Sequence, residues 1–261
     1  MQTREKQNNE NGNFASPDDQ KLEITFYTDP LCCWSWAFEP QRRKLLYEFS
    51  GDIKFRYCMG GLLPGWKNYF DSVNSISRPA QMGPVWMHAS QLSGMPIKHN
   101  IWMTDPPASS YLSCIAVKCA GLQSSQIEEE YLRIIREALM IKGENISKQN
   151  ILLQLAEELS IQNSQFDLNR FFTDFKNDSG LEPFRKDLNE VKFYNINRFP
   201  TLVVKNKLNK AVMVSGYRPY NVLLSSIEQL KPLKATSEKI DPECYKSFWG
   251  SVTSRELEEI A

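Results

Sequence analysis

The sequence predicts an α/β fold in which a βαβ unit and a ββα unit are separated by a large all-helical insertion. Two stretches with strand-like apolar patterns lie near the start of the chain, and two more lie near its end. Between them, residues 62–195 contain no convincing strand pattern and are filled mostly by helical patterns. The two strand-bearing halves therefore flank a helical block.

The first half covers residues 21–61. An apolar run over 22–28, closed by an aspartate and a proline, predicts the first strand. The pattern over 33–49 is helical, and Pro40 predicts a kink within it because proline has no backbone N–H and clashes with the preceding turn. Alternating apolar residues over 52–59 predict a second strand, parallel to the first through a right-handed crossover.

The insertion covers residues 62–195, about 130 residues by this interpretation. Its first part, up to residue 78, is typical of a loop. Glycine, proline and asparagine then separate successive helical patterns. These patterns predict helices at about 79–93, 107–121, 125–142, 147–160, 164–177 and 180–194.

The second half covers residues 196–231. Apolar runs over 201–205 and 211–215 are joined by a short turn and predict a β-hairpin. A helical pattern over 219–230 follows, and it opens with proline in its first turn, as helix starts often do.

Both ends of the chain are predicted to lie outside this arrangement. Residues 1–20 are polar and lack the apolar core of a secretory signal, so we expect a disordered lead. Residues 232–261 form a charged linker and a tail, in which Thr253 and Glu256 have the spacing of a capping box for a last short helix. We expect the tail to dock its aromatic residues on the body of the protein; the alternative is a partner-binding peptide.

Composition limits the partners that the chain can have. Thirty-one basic residues balance 31 acidic ones, so no long-range field favours nucleic acid or an anionic membrane surface. No apolar run approaches the ~20 residues needed to cross a bilayer. We therefore expect a cytoplasmic protein with neither nucleic acid nor membrane as a partner. The oligomeric state stays open.

Six cysteines occur, and a reducing compartment keeps such residues mostly as free thiols. The chain has only two histidines and no Cys-x-x-Cys pair, so the sequence predicts no metal site and no bound cofactor.

Cys32 is the strongest candidate for chemistry, because it stands after the first strand and directly before a helix. Unpaired backbone N–H groups and the helix dipole at such a position favour a thiolate. They can lower the pKa of a cysteine from ~8.5 to between ~3.5 and ~7.5. The sequence therefore predicts Cys32 as an ionised nucleophile.

Two motifs in this order resemble those of the DsbA-like thioredoxin-fold family. Residues 29–36, with Glu39-Pro40 behind them, are similar to its "DPxCxxCW…EP" opening, and residues 198–201 are similar to its cis-proline loop. The resemblance covers about 22–230 and extends to DsbA-like ClpXP adaptors, hydroxychromene carboxylate isomerases and kappa glutathione transferases. It implies a thioredoxin fold with a helical insertion, and a cis peptide bond before Pro200.

Ser35 departs from the family pattern, because it stands where an oxidoreductase carries its second cysteine. Serine cannot form a disulfide, so Cys32 and Ser35 cannot store two electrons. The Ser35 hydroxyl can instead donate a hydrogen bond that favours the Cys32 thiolate. We predict Cys32 and Ser35 as the catalytic pair.

Several routes for the Cys32 thiol stay open. In the first, Cys32 attacks a disulfide and glutathione, as a co-substrate, releases it. In the second, Cys58 at the end of the second strand is the resolving thiol, if its side chain faces the motif. A vicinal disulfide with Cys33 would strain the intervening peptide. In the last, glutathione supplies the reacting sulfur, as in the isomerase branch.

Substrate-binding residues are expected around both motifs. Trp34 and Trp36 are candidates for a hydrophobic docking surface, although Trp36 fits the core equally well. The resemblance implies that Phe199, Pro200 and Thr201 offer backbone groups to an extended substrate chain.

The resulting hypothesis is a DsbA-family thiol–disulfide oxidoreductase or isomerase that acts on a protein or peptide disulfide through Cys32. The first alternative is a non-catalytic adaptor that binds a client protein and presents it to a protease. The second is a glutathione-dependent isomerase or transferase.

Overall fold

The computed structural model describes residues 21–67, 69–72, 74–233 and 239–261. The lead over 1–20, predicted to be disordered, lies outside the described residues. So does the part of the charged linker at 234–238.

Four strands in the described residues form one mixed sheet: β1 (Leu22–Thr28), β2 (Ile53–Met59), β3 (Thr201–Lys205) and β4 (Ala211–Ser215). Their order across the sheet is β2-β1-β3-β4. β1 runs parallel to β2 and antiparallel to β3, and β4 pairs antiparallel with β3. This is the predicted thioredoxin-like arrangement, with the two halves of the chain joined at the β1–β3 pair, and the predicted fold class is confirmed.

The helix after β1 is interrupted, as Pro40 predicts. α1 (Cys33–Ala37) ends at Phe38, and α2 (Glu39–Glu48) begins with Pro40 in its first turn. Proline is tolerated there because the backbone N–H groups of a first turn have no partner within the helix. The ring of Phe38 stacks on Phe26 of β1 at 6.2 Å, so the break packs against the sheet.

The helical block lies between β2 and β3. An isolated bridge between Asp71 and Ile76 is its one piece of β structure within the described ranges. A short 3₁₀ turn precedes the first helix, and a π-helical turn over Ala138–Lys142 extends the fourth. The helices are α3 (Met82–Ser93), α4 (Ile101–Thr104), α5 (Tyr111–Gly121), α6 (Ser125–Glu137), α7 (Gln149–Gln162), α8 (Leu168–Lys176) and α9 (Leu181–Phe193).

Helices cover both faces of the sheet. α2 and α10 (Tyr220–Glu228) lie on the face of Phe26, where the main core continues without a break into the helical block. α9 covers the opposite face, where Tyr27 and Cys58 pack with Val203. The block is thus part of the core rather than an appendage, because one apolar cluster joins it to the sheet.

The tail docks on the body. α11 (Pro242–Trp249) and α12 (Ser254–Ile260) follow the linker, and α12 packs along α2. The predicted capping box of Thr253 and Glu256 opens α12, and Tyr245 of α11 is buried against Tyr47. The helix α11 was not predicted, although Asp241 caps it and Pro242 opens it.

Candidate functional site

Cys32 lies where the sequence predicts it, at the N-cap of α1. Its Sγ accepts a hydrogen bond from the Ser35 backbone N–H at 3.4 Å. The thiol in turn donates to the Phe199 carbonyl oxygen at 3.7 Å. The Phe199–Pro200 peptide bond is cis. Residues 167 positions apart in the chain therefore meet at one sulfur atom.

The predicted ionisation of Cys32 is wrong for this conformation. Only 4% of the residue is exposed, and burial, the largest influence, raises the pKa of its thiol. The Ser35 side chain and backbone N–H act in the opposite direction, and the negative charge of Asp29 adds to the rise. α1 has only five residues, so its dipole is short. Desolvation of the charged form therefore dominates.

Ser35 is sealed beneath the cysteine. Its residue is fully buried, and its hydroxyl has no hydrogen-bond partner of normal geometry within the described part of the chain. The backbone N–H, rather than the hydroxyl, is the group that binds the Cys32 sulfur. Ser35 thus bonds the Cys32 sulfur through its main chain, and both its side chain and its backbone N–H act to lower the pKa of the thiol.

A cavity of about 760 Å³ opens beside Cys32. The cis-proline loop and α1 form one wall, and α3 and the segment after β2 form the other. Apolar and aromatic side chains dominate, and Phe70 and Leu92 at the rim are more than half exposed. The residues that shape the cavity around Cys32 include Trp34, Tyr69, Trp86, Arg198, Phe199 and Tyr217.

Trp34 and Phe199 line this cavity, and Trp36 and Thr201 do not. Trp36 is fully buried, and its indole N–H donates to the Pro96 carbonyl at 2.9 Å, so the prediction that it contacts substrate is corrected to a core role. The Thr201 hydroxyl is turned onto the Arg198 carbonyl at 2.7 Å, which holds the loop.

Pro200 is buried, and its carbonyl accepts from the Gly216 N–H at 2.7 Å. The carbonyls of the Phe199–Pro200 pair therefore each accept one hydrogen bond already, from Gly216 and from the Cys32 thiol. A carbonyl oxygen has two lone pairs, so a bound chain would use the second lone pair of the Phe199 oxygen.

The structure does not bring Cys58 to Cys32. Cys58 pairs with Tyr27 in the β1–β2 register, and its side chain packs under α9 on the far face of the sheet. Its thiol donates to the Asp187 carbonyl at 3.5 Å, and burial raises its pKa. A resolving thiol would have to reach the cavity, and Cys58 faces away from it. Cys33 lies at the cavity wall, but it is buried and free.

Asp29 ties the Cys32 turn to the helical block, a role that the sequence did not reveal. Its carboxylate accepts from the backbone N–H groups of Leu31 and Leu62, at 2.8 and 2.7 Å, and from the Ser110 hydroxyl at 2.8 Å. Burial raises the pKa of Asp29, and these three donors act against that rise.

A buried group of charged side chains, here called the arginine–glutamate cluster, lies beneath α1. Sequence reasoning missed it because hydrophobic periodicity does not register buried charges; the i,i+3 spacing of Glu39 with Arg42 was the available signal. Burial raises the pKa of Glu39, but Arg42 and Arg136 outweigh it and hold that pKa at about 2. The members are Glu39, Arg42 and Arg43 of α2, Glu129, Arg133 and Arg136 of α6, and Glu256 of α12.

Two features are not found among the described residues. No group of histidine, cysteine and acidic side chains is arranged to hold a metal ion there. Likewise, none of the helices in the described ranges combines the length and apolar character that a bilayer crossing requires.

Comparisons with known proteins agree with this architecture. A family model described as thioredoxin matches residues 26–225. The chain is 30% identical over 228 residues to the ClpXP adapter protein SpxH of Halalkalibacterium halodurans. The aligned region covers 84% of this chain and 73% of that protein.

Two of the solved structures that share the fold are similar over most of this chain. One is a putative protein disulfide isomerase from Nitrosomonas europaea, with a TM-score of 0.66 and 21% identity over 80% of this chain and 97% of that one. The other is the cytosolic disulfide reductase DsbM from Pseudomonas aeruginosa, with a TM-score of 0.59 and 15% identity over 87% of this chain and 97% of that one.

Proposed function

Since the chain belongs to the thioredoxin family, in its DsbA-like branch, we propose that it is an adaptor that binds a client protein and presents it to a protease. The relative from H. halodurans, similar over most of both chains, is named as a ClpXP adapter. The observation that carries the proposal is the cavity beside Cys32, which is mainly apolar and large enough for client side chains. Its two cysteines, Cys32 and Cys33, are buried, and Ser35 stands where a redox pair would have its second cysteine.

The cavity has the features of a peptide-binding site. It combines aromatic walls with a few polar groups, which is the usual composition of a ligand pocket. Rim residues Phe70 and Leu92 leave apolar surface exposed that a client segment would cover. Burial raises the pKa of the Cys32 thiol, which suits binding better than rapid thiol exchange, because the thiolate is the nucleophile.

The experiment places a photo-crosslinking amino acid at Leu92 in the full-length chain in cells, with Leu208 on the β3–β4 turn as the control position. A client captured from Leu92 and absent from Leu208 is then purified and incubated with ClpXP and ATP, with and without this protein. We expect the protein to accelerate degradation of that client. Val85→Glu, which puts a charge on the apolar cavity wall, should abolish the acceleration. Equal degradation without the protein would refute the adaptor.

Thiol–disulfide exchange at Cys32 is the second candidate, favoured by the placement of the Cys32 sulfur on the cavity wall between the Ser35 N–H and the Phe199 carbonyl. The Cys32 thiolate would attack a substrate disulfide, form a mixed disulfide and release the other substrate sulfur as a thiolate. One glutathione thiolate would then displace the substrate thiol, and a second would release Cys32 as its thiolate and leave as glutathione disulfide.

A coupled assay separates the candidates. Reduction of a fluorogenic peptide disulfide is followed with glutathione, glutathione reductase and NADPH. Activity that disappears in Cys32→Ser supports exchange. No activity in the wild type, combined with client delivery by Cys32→Ser, supports the adaptor. Glutathione binding that persists in Cys32→Ser would instead support the glutathione-dependent isomerase or transferase.

A further inference from the structure

Arg136 is the member of the arginine–glutamate cluster with the least compensation of its charge. Its guanidinium donates to Glu39 Oε1 at 2.7 Å and to the neutral Thr28 hydroxyl, and its Nε has no partner among the residues that the structure describes. The Glu39 carboxylate also faces Arg42, Arg43 and Arg133. Arg42, Arg43 and Arg133 each contact a further carboxylate. Among the described residues, Glu39 is the one ion-pair partner of Arg136.

The two partners of Arg136 flank the Cys32 segment. Thr28 is the last residue of β1, four positions before Cys32, and Glu39 is the first residue of α2, directly after the α1 turn. Arg136 itself comes from α6 in the helical block and is 1% exposed. A single buried side chain therefore joins the strand end and the helix start between which Cys32 is held.

We propose that Arg136 is a positioning residue of the Cys32 site, which fixes both ends of the Cys32 segment and supplies the positive charge that a Cys32 thiolate requires. The helix dipole alone is a weak source, because α1 is a helix of five residues. A buried thiolate without a nearby cation would carry a large desolvation cost. Burial has the largest influence on the pKa of Cys32 and raises it, and the Ser35 hydrogen bonds lower it. Asp29 raises it further, and Arg136 lowers it by less than these groups change it.

Other charged and titratable groups face the same sulfur or its cavity and set the background for a test. They are Asp29 on the turn after β1, Cys33 in α1, Tyr69 and Asp71 before α3, His88 on α3, Arg198 before β3 and Tyr217 before α10. The proposal concerns the ionisation of Cys32 and is independent of client binding. It can therefore fail while the adaptor function stands, and the adaptor function can fail while this proposal stands.

The test is the pH profile of Cys32 alkylation by iodoacetamide in the full-length chain with Cys244→Ser, because Cys244 is the exposed cysteine among the described residues. Cys32 and Cys33 are adjacent and lie in one peptide, so the fragment ions of that peptide in tandem mass spectrometry assign the label to one or the other. Arg136→Met should move the midpoint of the alkylation rate against pH to higher pH, and the plateau rate at high pH should not change. Alkylation near pH 7 should slow by about threefold to tenfold, since one pKa unit changes the thiolate fraction about tenfold. Arg136→Lys keeps the charge and should stay near the wild type.

Arg42→Met is the matched control. It removes a second buried cation from the cluster, but Arg42 bonds Glu39 and Glu129 rather than the strand end of the Cys32 segment. It should reduce stability without moving the midpoint. Glu39→Gln removes the compensating negative charge and should shift the midpoint to lower pH, so it decides the matter if Arg136→Met does not fold. An unmoved midpoint in Arg136→Met or Glu39→Gln, or an equal shift in Arg42→Met, overturns the proposal.

Discussion

Single residues decide how far Cys32 can act as a nucleophile. The sequence predicts its position at a helix start, and the structure places it there, but the buried environment that raises its pKa comes from segments distant in the chain. The position of Cys32 in its motif can be read from the neighbouring residues. The desolvation of its sulfur depends on all the segments that pack over the motif. For this reason the site could be predicted from the sequence, while the ionisation state of its sulfur could not.

Replacing Ser35 by cysteine should restore a two-electron pair. The Ser35 backbone N–H already contacts the Cys32 sulfur at 3.4 Å. The Ser35 side chain is itself buried. We expect Ser35→Cys to form a disulfide with Cys32 under mild oxidation, seen as the loss of two hydrogens in intact mass and as protection of Cys32 from alkylation. Ser35→Ala is the control, which should show neither change. A Ser35→Cys chain that keeps both thiols under oxidant would show that the site excludes the bond.

At the scale of elements, α2 carries a buried polar face that periodicity cannot reveal. Its apolar residues are few, and Gln41, Arg42 and Arg43 are as buried as Leu45. The charges are tolerated because each is paired across to α6 or α12, which no local pattern encodes. The register of β2 poses the same difficulty: a strand pattern shows two faces, but not that Cys58 lies on the face covered by α9.

Acid should destabilise the protein partly through Glu39. Its pKa is about 2 in the folded state, below its ordinary value, so its ionised form stabilises the fold above that ordinary value. This contribution is lost as pH falls from about 5 towards about 2. We expect urea midpoints to fall over this interval, and less steeply in Glu39→Gln. Asp29, whose pKa is raised, changes stability with pH in the opposite direction. It is present in both the wild type and Glu39→Gln, so it does not account for a difference between them.

The matched variant for that comparison is Glu23→Gln, on an exposed position of β1. It should show the wild-type dependence of stability on pH. Equal slopes in Glu39→Gln and the wild type would contradict the role given to Glu39.

Glu256 should hold α12 in place. It is fully buried, accepts from Arg43 and Arg133 at 3.1 and 2.9 Å, and bonds the Thr253 N–H at its own helix start. Glu256→Gln removes one of the carboxylates that each of these two buried guanidinium groups contacts, and it should lower the free energy of unfolding by about 3 kcal/mol, measured in urea. Glu258→Gln, two residues before the end of the same helix and exposed, should change it by less than about 0.5 kcal/mol. Similar losses in both would assign the effect to helix propensity.

At the scale of the whole molecule, the order of elements was readable because strand and helix periods alternate clearly. The strands β1, β3 and β4 coincide with the predicted ranges, and β2 begins one residue later. What the sequence could not supply is how the helical block meets the sheet. That junction consists of Asp29 with Ser110, of Arg136 with Thr28, and of one shared apolar core, all formed between residues far apart in the chain.

This junction predicts one cooperative unfolding transition. A single cluster of buried residues runs from the sheet through the helical block, so neither part can lose its packing alone. Calorimetry should give a calorimetric enthalpy equal to the van't Hoff enthalpy. Intrinsic fluorescence and circular dichroism should show the same midpoint. Two separated transitions would mean that the block unfolds as an independent unit.

The position of Trp34 also gives the protein a built-in optical reporter. Its indole is half-buried in the cavity wall, with His88 on one side and Tyr217 on the other, at ring distances of 5.5 and 6.2 Å. Trp86 lines the same cavity, so Trp86→Phe is the background in which the Trp34 signal is read. Trp36 and Trp102 are sealed in the interior. A guest that fills the cavity changes the polarity around Trp34, so its arrival can be timed by stopped-flow without attaching a dye.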